Sequence, residues 1–581
     1  MKKKYLFIST LPIILTATSA VSCVFFEDFG LNIDDIISFK SDKFKQVRAD
    51  FKNFSKEHYN IKSKYINLYF DISNQATQKN YSTEPYVSIE DMVKHLNGFF
   101  NINGFKKYNI TNNKVIFKNQ NGNMELDFDK QTIKLSSESF FNFVVSSNST
   151  NYSRFLKVSS IKLINKEEEK EEIIFDLKKY NIKIYNESNK VLIPLNIFNT
   201  LFCSQNYYNL YYNGNKNVYG KYFNLNENDN NIKELKNFDF FNKNETNEKR
   251  LYNLNNLIFT LDNFYGLKEY KKINSFEDYT RKLKSQLLST EYETYNKAYT
   301  KLIFENLNEL HSSIDLLSLS TPINKRIRDY IENIGQSRRE HINVYNFLEQ
   351  KSAKLREQLN NKKWNIYNNF AYITLSGFRT APDNQINNGQ EENDSFEYMH
   401  SVLNKISKEH KEVKNIVIDL SRNGGGNIGA MYRVLGLLTN KNIVSHEHSS
   451  LSNKKVTYEY KVDANKDGNY NDNDAFSQYN YYFLISKNTF SAGNSFSGIV
   501  KELNIGKIIG QKSGGGTSSV LPIVLTDGTG LTISSSSMSL YFDKNIEKNL
   551  EEGVDPDISL EYNDFYDFEI LDSIINNKNN N

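Results

Sequence analysis

Residues 416–426 read IVIDLSRNGGG, an apolar strand that runs directly into three glycines. On both sides of this stretch, short apolar runs alternate with helix-favouring segments. The predicted strands are 370–375, 416–420, 481–485 and 507–509, and the predicted helices are 396–410, 428–438 and 496–503. Such alternation predicts an α/β core with a mixed, partly parallel sheet. Glycine turns then fall at the carboxyl ends of strands, where open α/β sheets place their functional sites.

A serine stands just beyond the exit of a later strand. Residues 481–494 read YYFLISKNTFSAGN, so Ser491 follows an apolar run and precedes Ala492 and Gly493. Acyl transfer needs an exposed hydroxyl and nearby N–H groups that are free to hold an oxyanion. Ser491 is therefore the candidate nucleophile. The alternative is that Ser491 only caps the helix that follows.

Four segments resemble, in order, the motifs of the tail-specific, or C-terminal processing, serine peptidases. They are DLSRNGGG at 419–426, FSAG at 490–493, IGQKSGGG at 509–516 and GVDPD at 553–557. The same superfamily includes tricorn protease and interphotoreceptor retinoid-binding protein. The resemblance covers only the C-terminal part of the chain. It implies a ClpP/crotonase-like core, Ser491 as nucleophile, and an oxyanion hole formed by the N–H groups of Gly425 and Ala492.

The general base is where the chain departs from many tail-specific proteases. The lysine that those enzymes use in the third motif aligns with Gly516, and the nearby Lys512 stands in the wrong register. The tricorn-like branch uses an upstream histidine, and NELHSS at 308–313 resembles its DxH-[ST] segment. The resemblance implies that His311 is the base, since the ordinary histidine pKa of about 6.5 suits neutral pH. The alternative is a helix-terminal histidine without a catalytic role.

A histidine base is expected to need an acidic residue that orients it. In the tricorn-like pattern this residue is a glutamate just before the GVxPD motif. Glu551 and Glu552 both stand there, and the sequence does not choose between them. The alternative for both is a surface turn.

A separate stretch, DANKDGNYNDND at 463–474, fits an EF-hand-type calcium loop with glycine at its sixth position. The last position is aspartate rather than glutamate, as in dockerin-type loops, and no strong flanking helices are visible. The predicted ligands are Asp463, Asn465, Asp467, Asn469, Asn471 and Asp474. We expect a structural Ca²⁺ at most and no cofactor for the chemistry. The alternative is a polar loop in an asparagine-rich chain.

The N-terminal residues predict export and lipidation. Three lysines precede a short apolar stretch that ends in Ala20-Val21-Ser22-Cys23. The apolar stretch is too short for a spanning helix, so residues 1–23 are predicted to be a signal peptide. Their end resembles a bacterial lipobox, which implies cleavage before Cys23, diacylation of that cysteine, and anchoring at the extracellular face of the cell membrane. The alternative is an ordinary signal peptide.

The bulk composition bounds the remaining possibilities. The chain has 581 residues, which favours two or three domains, and its net charge of +3 with no basic stripe gives no support for nucleic-acid binding. Beyond the signal peptide, the predicted parts are a non-catalytic α+β module at 24–235, a linker and helical segment at 236–365, and a catalytic domain at 366–575.

The predicted function is a surface-anchored serine peptidase that hydrolyses proteins or peptides through an acyl-enzyme. No PDZ module is visible between His311 and Phe370, so recognition of a C-terminus is not expected to use one. The alternative is a catalytically inactive relative that serves as a surface-binding lipoprotein, since the retinoid-binding branch shows that this scaffold can be used for binding.

Overall fold

The computed structural model describes residues 39–73, 84–111, 113–147, 154–164, 172–214, 216–236 and 245–576. The predicted signal peptide and Cys23 lie outside these residues. Within the described ranges, no helix is both long enough and apolar enough to cross a bilayer.

The strands, in chain order, are β1 Phe44–Asn53, β2 Tyr65–Asp71, β3 Tyr86–Ser88, β4 Lys106–Thr111, β5 Lys114–Asn119, β6 Gly122–Asp127, β7 Thr132–Leu135, β8 Leu156–Leu163, β9 Ile173–Asp176, β10 Tyr185–Glu187, β11 Lys190–Pro194, β12 Tyr208–Tyr212, β13 Asn217–Tyr222, β14 Ser313–Leu316, β15 Trp364–Tyr367, β16 Phe370–Thr374, β17 Asn415–Asp419, β18 Ile443–Ser449, β19 Lys455–Val462, β20 Asn480–Ile485, β21 Gly506–Gly510, β22 Ser518–Val524, β23 Gly530–Asp543, β24 Ile546–Asn549 and β25 Ile558–Ser559.

The α-helices, in chain order, are α1 Ile89–His95, α2 Leu195–Phe198, α3 Ile232–Leu235, α4 Asn247–Phe264, α5 Phe276–Thr280, α6 Lys284–Leu287, α7 Tyr292–Thr300, α8 Gln336–Gln358, α9 Asp383–Asn387, α10 Ser395–Glu409, α11 Ile428–Leu438, α12 Ala492–Leu503 and α13 Phe568–Asn576. Short 3₁₀ or π turns extend several of them.

The sheet that positions the candidate site has the order β15-β16-β17-β20-β21-β25. Every neighbouring pair from β16 to β25 is parallel, and β15 is antiparallel at one edge. This confirms the mixed, partly parallel α/β sheet that the sequence predicts. The predicted strands and helices of this region agree with the observed ones to within a few residues.

Helices cover both faces of this sheet because its strands are apolar on both sides. Alternate residues of a strand point to opposite faces. Ile416 and Ile418 pack in one buried cluster with residues of α10, α11 and α12, whereas Val417 packs in another with residues of α8 and α13. The result is a three-layer arrangement in which the carboxyl ends of the strands carry the glycine loop and the Ser491 turn.

A second, seven-stranded sheet lies beside the first and joins distant parts of the chain. Its main order is β14-β23-β18-β19-β8, with β22 and β24 also paired to β23. The strand β14 immediately follows His311, and its pairing with β23 brings the histidine segment to the catalytic region. The strand β8 comes from the predicted N-terminal module, so that module shares a sheet with the C-terminal region.

The N-terminal part of the chain contains a seven-stranded and a five-stranded sheet. The two segments that look alike in sequence, β3 with α1 and β11 with α2, pair with each other as antiparallel strands. A single buried cluster runs from residues of β1 to residues of β23. The proposed domain boundaries stay a prediction, and across them the chain shares both a sheet and a core.

Candidate active site

Ser491 occupies the sharp turn between β20 and α12. Its backbone has φ 54° and ψ −123°, a conformation that a non-glycine residue adopts rarely and that marks strained functional turns. The Ser491 N–H donates to the carbonyl of Gly515 at 3.0 Å. The Ser491 side chain makes no capping bond to α12, so the hydroxyl is not used as a helix cap. The turn presents this hydroxyl at the N-terminus of a helix, where the backbone dipole favours negative charge.

The glycine loop lies directly against the serine. A Cβ added to Gly425 would come within 2.8 Å of the Ser491 Cβ and 2.9 Å of the Ala492 nitrogen, and Gly425 has φ +102°. The position therefore accepts only glycine without rearrangement. In this structure the Gly425 N–H donates to Asn423 Oδ1 at 2.9 Å. The Ala492 N–H has no hydrogen-bond partner among the described residues, which leaves it free to bind an oxyanion.

Asn423 connects three pieces of the site. Its Oδ1 accepts from Gly425, its Nδ2 donates to the Leu375 carbonyl at 2.9 Å, and its carbonyl accepts the Phe490 N–H at 3.0 Å. The side chain is fully buried. Asn423 thus fixes the glycine loop relative to both β16 and the Ser491 turn. Asn423 lies within the first sequence motif, but the sequence alone did not predict that it holds the glycine loop in place.

The position that aligns with the family lysine is closed by an aromatic ring. Gly516 has φ +82°, and a Cβ there would lie 2.4 Å from Cε2 of Phe490. Lys512 pairs instead with Asp555 at 3.4 Å and is half exposed. The side-chain space that a lysine base would need is therefore filled by Phe490.

His311 packs against the same phenylalanine. The ring centroids of His311 and Phe490 are 4.6 Å apart, and Phe490 immediately precedes Ser491. Burial lowers the pKa of His311, while the charge of Glu309 opposes this shift. The imidazole is therefore neutral at pH 7, as a general base must be. Among the described residues, no hydrogen bond joins the His311 ring to the Ser491 hydroxyl.

The two candidate glutamates differ in their surroundings. Glu551 is half-buried, and its Oε2 accepts the Thr517 N–H at 2.9 Å. Burial raises the pKa of Glu551 to about 7, the Thr517 bond opposes this rise, and Glu309 adds to it. The Glu551 backbone also packs against Gly515, whose carbonyl accepts the Ser491 N–H. Glu552 is exposed.

Sequence reasoning missed His341, a second histidine near the nucleophile. It lies on α8, its ring centroid is 6.1 Å from that of Phe490, and its carbonyl accepts Asn488 Nδ2 at 2.9 Å. Burial lowers the pKa of His341. No motif of the chain surrounds it, and only the packing of α8 against the nucleophile loop reveals it.

The predicted calcium loop forms a compact turn. Asp463 is buried, and its carboxylate accepts the N–H groups of Asp467 at 3.1 Å and Gly468 at 2.8 Å. The Asn465 N–H donates to Asp474 Oδ2 at 2.9 Å, which closes the loop. Asn465 Nδ2 also donates to Asp467 Oδ2 at 3.1 Å, so these four predicted ligands lie together.

Of the other two predicted ligands, Asn469 also contacts Asp467, whereas Asn471 is paired with a lysine. The Asn469 N–H donates to Asp467 Oδ1 at 2.7 Å, its Nδ2 donates to Asp472, and Asn471 Oδ1 accepts from Lys461 Nζ at 2.7 Å. Within the described ranges, no three or more histidine, cysteine, aspartate or glutamate side chains are arranged to hold a metal ion. The residues therefore fit a calcium ion only in part, and amide and carbonyl oxygens would have to complete its coordination.

Comparison with known proteins places the site in a family. Residues 369–560, about a third of the chain, match the profile of peptidase family S41. A serine at a strand-to-helix turn of an α/β core is an arrangement that serine hydrolases also have. Residues 369–560 are thus similar to peptidase family S41, in agreement with the resemblance to the tail-specific, or C-terminal processing, proteases that the sequence motifs indicate.

Several solved structures are similar to this chain at low identity. The photosystem II D1 C-terminal processing protease is 20% identical, with a TM-score of 0.25, and the match covers 33% of this chain and 42% of that one. A lipoprotein from Streptococcus agalactiae is 16% identical, with a TM-score of 0.36 and coverage of 58% and 98%. Tricorn protease is 18% identical, with a TM-score of 0.23 and coverage of 40% and 20%. No curated protein sequence matches the chain.

The chain thus spans less than half of the D1 processing protease and a fifth of tricorn protease. At these identities and TM-scores the likenesses carry no inference about activity. The family assignment rests on the profile match.

Proposed function

We propose that the protein hydrolyses peptide bonds through an acyl-enzyme formed on Ser491. The observation that carries the proposal is the contact of the strained Ser491 turn with Gly425, beside the free N–H of Ala492. A nucleophile and an oxyanion donor there share one small space, as acyl transfer requires. Labelling of Ser491 by a fluorophosphonate tests the proposal.

The catalytic cycle follows from the placement of these groups. His311 takes the proton of the Ser491 hydroxyl while the serine oxygen forms a bond to the substrate carbonyl carbon. The oxyanion accepts hydrogen bonds from Ala492 and from Gly425, once the Gly425 N–H leaves Asn423 Oδ1. His311 then gives its proton to the departing amine, and water attacks the acyl-enzyme by the reverse route. Such catalytic hydrogen bonds commonly tighten only when substrate is bound.

Glu551 is the residue that we propose orients and stabilises His311 when it is protonated. Its burial supports this choice over the exposed Glu552. A carboxylic acid with a pKa of about 7 ionises as the pH rises through neutrality, so activity is expected to increase between about pH 6 and 8. The inactive-relative alternative is not favoured, since the nucleophile turn, the free N–H group and a buried histidine are all present.

Glu551→Gln is expected to lower the rate of peptide hydrolysis by about 10²-fold and to remove the rise in activity through pH 7. The amide cannot ionise, so it cannot supply negative charge to the protonated imidazole. The measurement is the pH profile of kcat with Glu552→Gln as the matched control, which should behave like the wild type. Equal profiles for wild type and Glu551→Gln would remove Glu551 from the mechanism.

We propose that calcium binds the loop at 463–474 and stabilises it, without a part in the chemistry. The cluster of Asp463, Asn465, Asp467 and Asp474 supports this proposal. Millimolar calcium is expected to raise Tm by a few degrees, since a ligand that binds only the folded state stabilises it. Asp467→Ala should abolish the rise, while Asn473→Ala, at a non-ligand position of the loop, should retain it. A wild-type Tm that does not respond to calcium would refute the site.

We also propose that the enzyme is anchored at the extracellular face of the membrane through lipid on Cys23. The support is the sequence of the first 23 residues. Incorporation of labelled palmitate, and its loss in Cys23→Ala, would test the anchor.

A further inference from the structure

Glu309 lies within a buried cluster of charged groups beside the candidate base. Glu309 is only 5% exposed, and its Oε2 accepts the backbone N–H of His311 at 2.7 Å. Its other oxygen, Oε1, is buried and has no hydrogen-bond partner among the described residues. A buried carboxylate oxygen is costly unless it is paired, so a carboxylate kept at such a place calls for a specific explanation.

The segment that carries Glu309 and His311 is clamped onto the start of α8. Arg338 Nη2 donates to the Glu309 carbonyl at 2.6 Å and also to the Ser312 carbonyl. The Ser337 N–H donates to Asn308 Oδ1 at 2.9 Å. These bonds fix the backbone on both sides of His311. The Glu309 carboxylate is therefore held in one place relative to the imidazole.

The charged and titratable groups around Glu309 come from four parts of the chain. They are Tyr265 and Lys271 after α4, His311 itself, Arg338 and His341 on α8, and Glu551 in the turn at 550–552. Burial lowers the pKa of Lys271 and of Arg338, and Glu309 opposes both shifts. Burial raises the pKa of Tyr265, and Glu309 adds to that rise. Glu309 thus interacts electrostatically with each of these groups except His341. The charge of Arg338 instead lowers the pKa of His341.

We propose that Glu309 is a positioning residue for catalysis, a second carboxylate that fixes the backbone of His311 and stabilises the protonated imidazole together with Glu551. This inference rests on the proposed function of Ser491. Glu309 does not touch the reacting atoms. It acts through His311, by its bond to the His311 N–H, and through Glu551, by charge.

The physical reason is the balance of charge when the serine proton moves. The Ser491 O–H bond breaks, and its proton goes to a His311 ring nitrogen, which adds one positive charge to a buried region. The charge of Glu309 favours the protonated imidazole, whereas burial disfavours it. Before the transfer, the negative charge of Glu309 favours the protonated form of both Glu551 and His311. Removing it should therefore make both groups lose their protons at lower pH.

The test uses the rate at which Ser491 reacts with a fluorophosphonate, measured from pH 5 to 9 on the full chain. In that reaction the serine oxygen bonds to phosphorus, fluoride leaves, and His311 takes the serine proton. For Glu309→Gln we expect the plateau rate to fall by about 10-fold, a part of the roughly 10²–10⁴-fold that acid–base catalysis contributes. We also expect the rising limb of the profile to move to lower pH. Glu309→Asp, which keeps the charge, should leave the limb in place and retain most of the rate.

Glu305→Gln is the matched control, because Glu305 is half-buried four residues earlier and makes none of these contacts. A Glu309→Gln profile that is unchanged, or that falls without a shift of the limb, would overturn the proposal, since a merely structural role lowers the plateau alone. Loss of the limb shift in a Glu309→Gln/Glu551→Gln double variant would support the coupling. If the wild type reacts at no pH while it is folded, the proposed function itself fails and this inference with it.

Discussion

Replacing Ser491 with alanine is expected to abolish covalent labelling by a fluorophosphonate and to lower peptide hydrolysis to the background rate. The hydroxyl at this turn forms the acyl-enzyme, and nothing else in the described site offers a serine at a strained strand-to-helix turn beside a free N–H group. Loss of the nucleophile in serine peptidases costs roughly 10⁶-fold in kcat. Intact-mass spectrometry of the labelled protein, with peptide mapping to residue 491, provides the measurement.

The fold should tolerate this change, which makes the result easy to interpret. The Ser491 side chain makes no capping bond, so its removal is expected to leave Tm within a few degrees of the wild type. Ser495→Ala, one turn later on α12, is a matched control that should still be labelled. Wild-type protein that is folded yet never labelled would exclude the acyl-enzyme mechanism and favour the binding-protein alternative.

The local parts of the site could be predicted from sequence because they lie within short motifs. The strand, the turn and the glycine loop around Ser491 and Gly425 follow from apolar runs and glycines that are adjacent in the chain. Their parallel pairing then brings β17 and β20 side by side. The mixed α/β sheet was predictable for the same reason, since strand–helix alternation is a local pattern.

The surroundings of the base could not be derived in this way. Lys271, Arg338 and Glu551 come from separate elements, and only the tertiary fold brings them near Glu309, which bonds to His311. Phe490 fills the space beside Gly516, which no residue pattern reveals. The sequence could show that the usual lysine is missing, but not that the Phe490 ring contacts both that position and a histidine.

The sheet that crosses the predicted domain boundary could not be predicted either, because its strands are far apart in the sequence. The sequence assigns β8 to the N-terminal module because further strands of that module follow it in the chain. Its partner β19 lies some 300 residues later, as the hydrogen bond from Ser159 to the Glu459 carbonyl shows. Pairings at such separations depend on tertiary packing rather than on local propensity.

Gly425→Ala is expected to lower kcat by about 10²–10³-fold, comparable to the loss of one oxyanion donor, worth about 2.7–4 kcal/mol of barrier. The new Cβ would stand 2.8 Å from the Ser491 Cβ and 2.9 Å from the Ala492 nitrogen, so the nucleophile and the free donor must both shift. The backbone of Gly425 is also in a left-handed conformation that alanine disfavours by roughly 1–2 kcal/mol. The measurement is kcat for peptide hydrolysis at a temperature where the variant is folded.

Gly424→Ala is the matched control for Gly425→Ala. A Cβ at Gly424 would meet nothing within 4 Å, and its backbone is outside the left-handed region, so kcat should stay within about 3-fold of the wild type. The two variants add the same methyl group to neighbouring residues of one loop, and only one of them points it at the nucleophile.

If both variants keep full activity, the approach of the glycine loop to Ser491 has no catalytic role. If both lose it equally while folded, general disruption of the loop explains the loss. A selective loss in Gly425→Ala alone would tie the rate to the contact between this glycine and the serine turn.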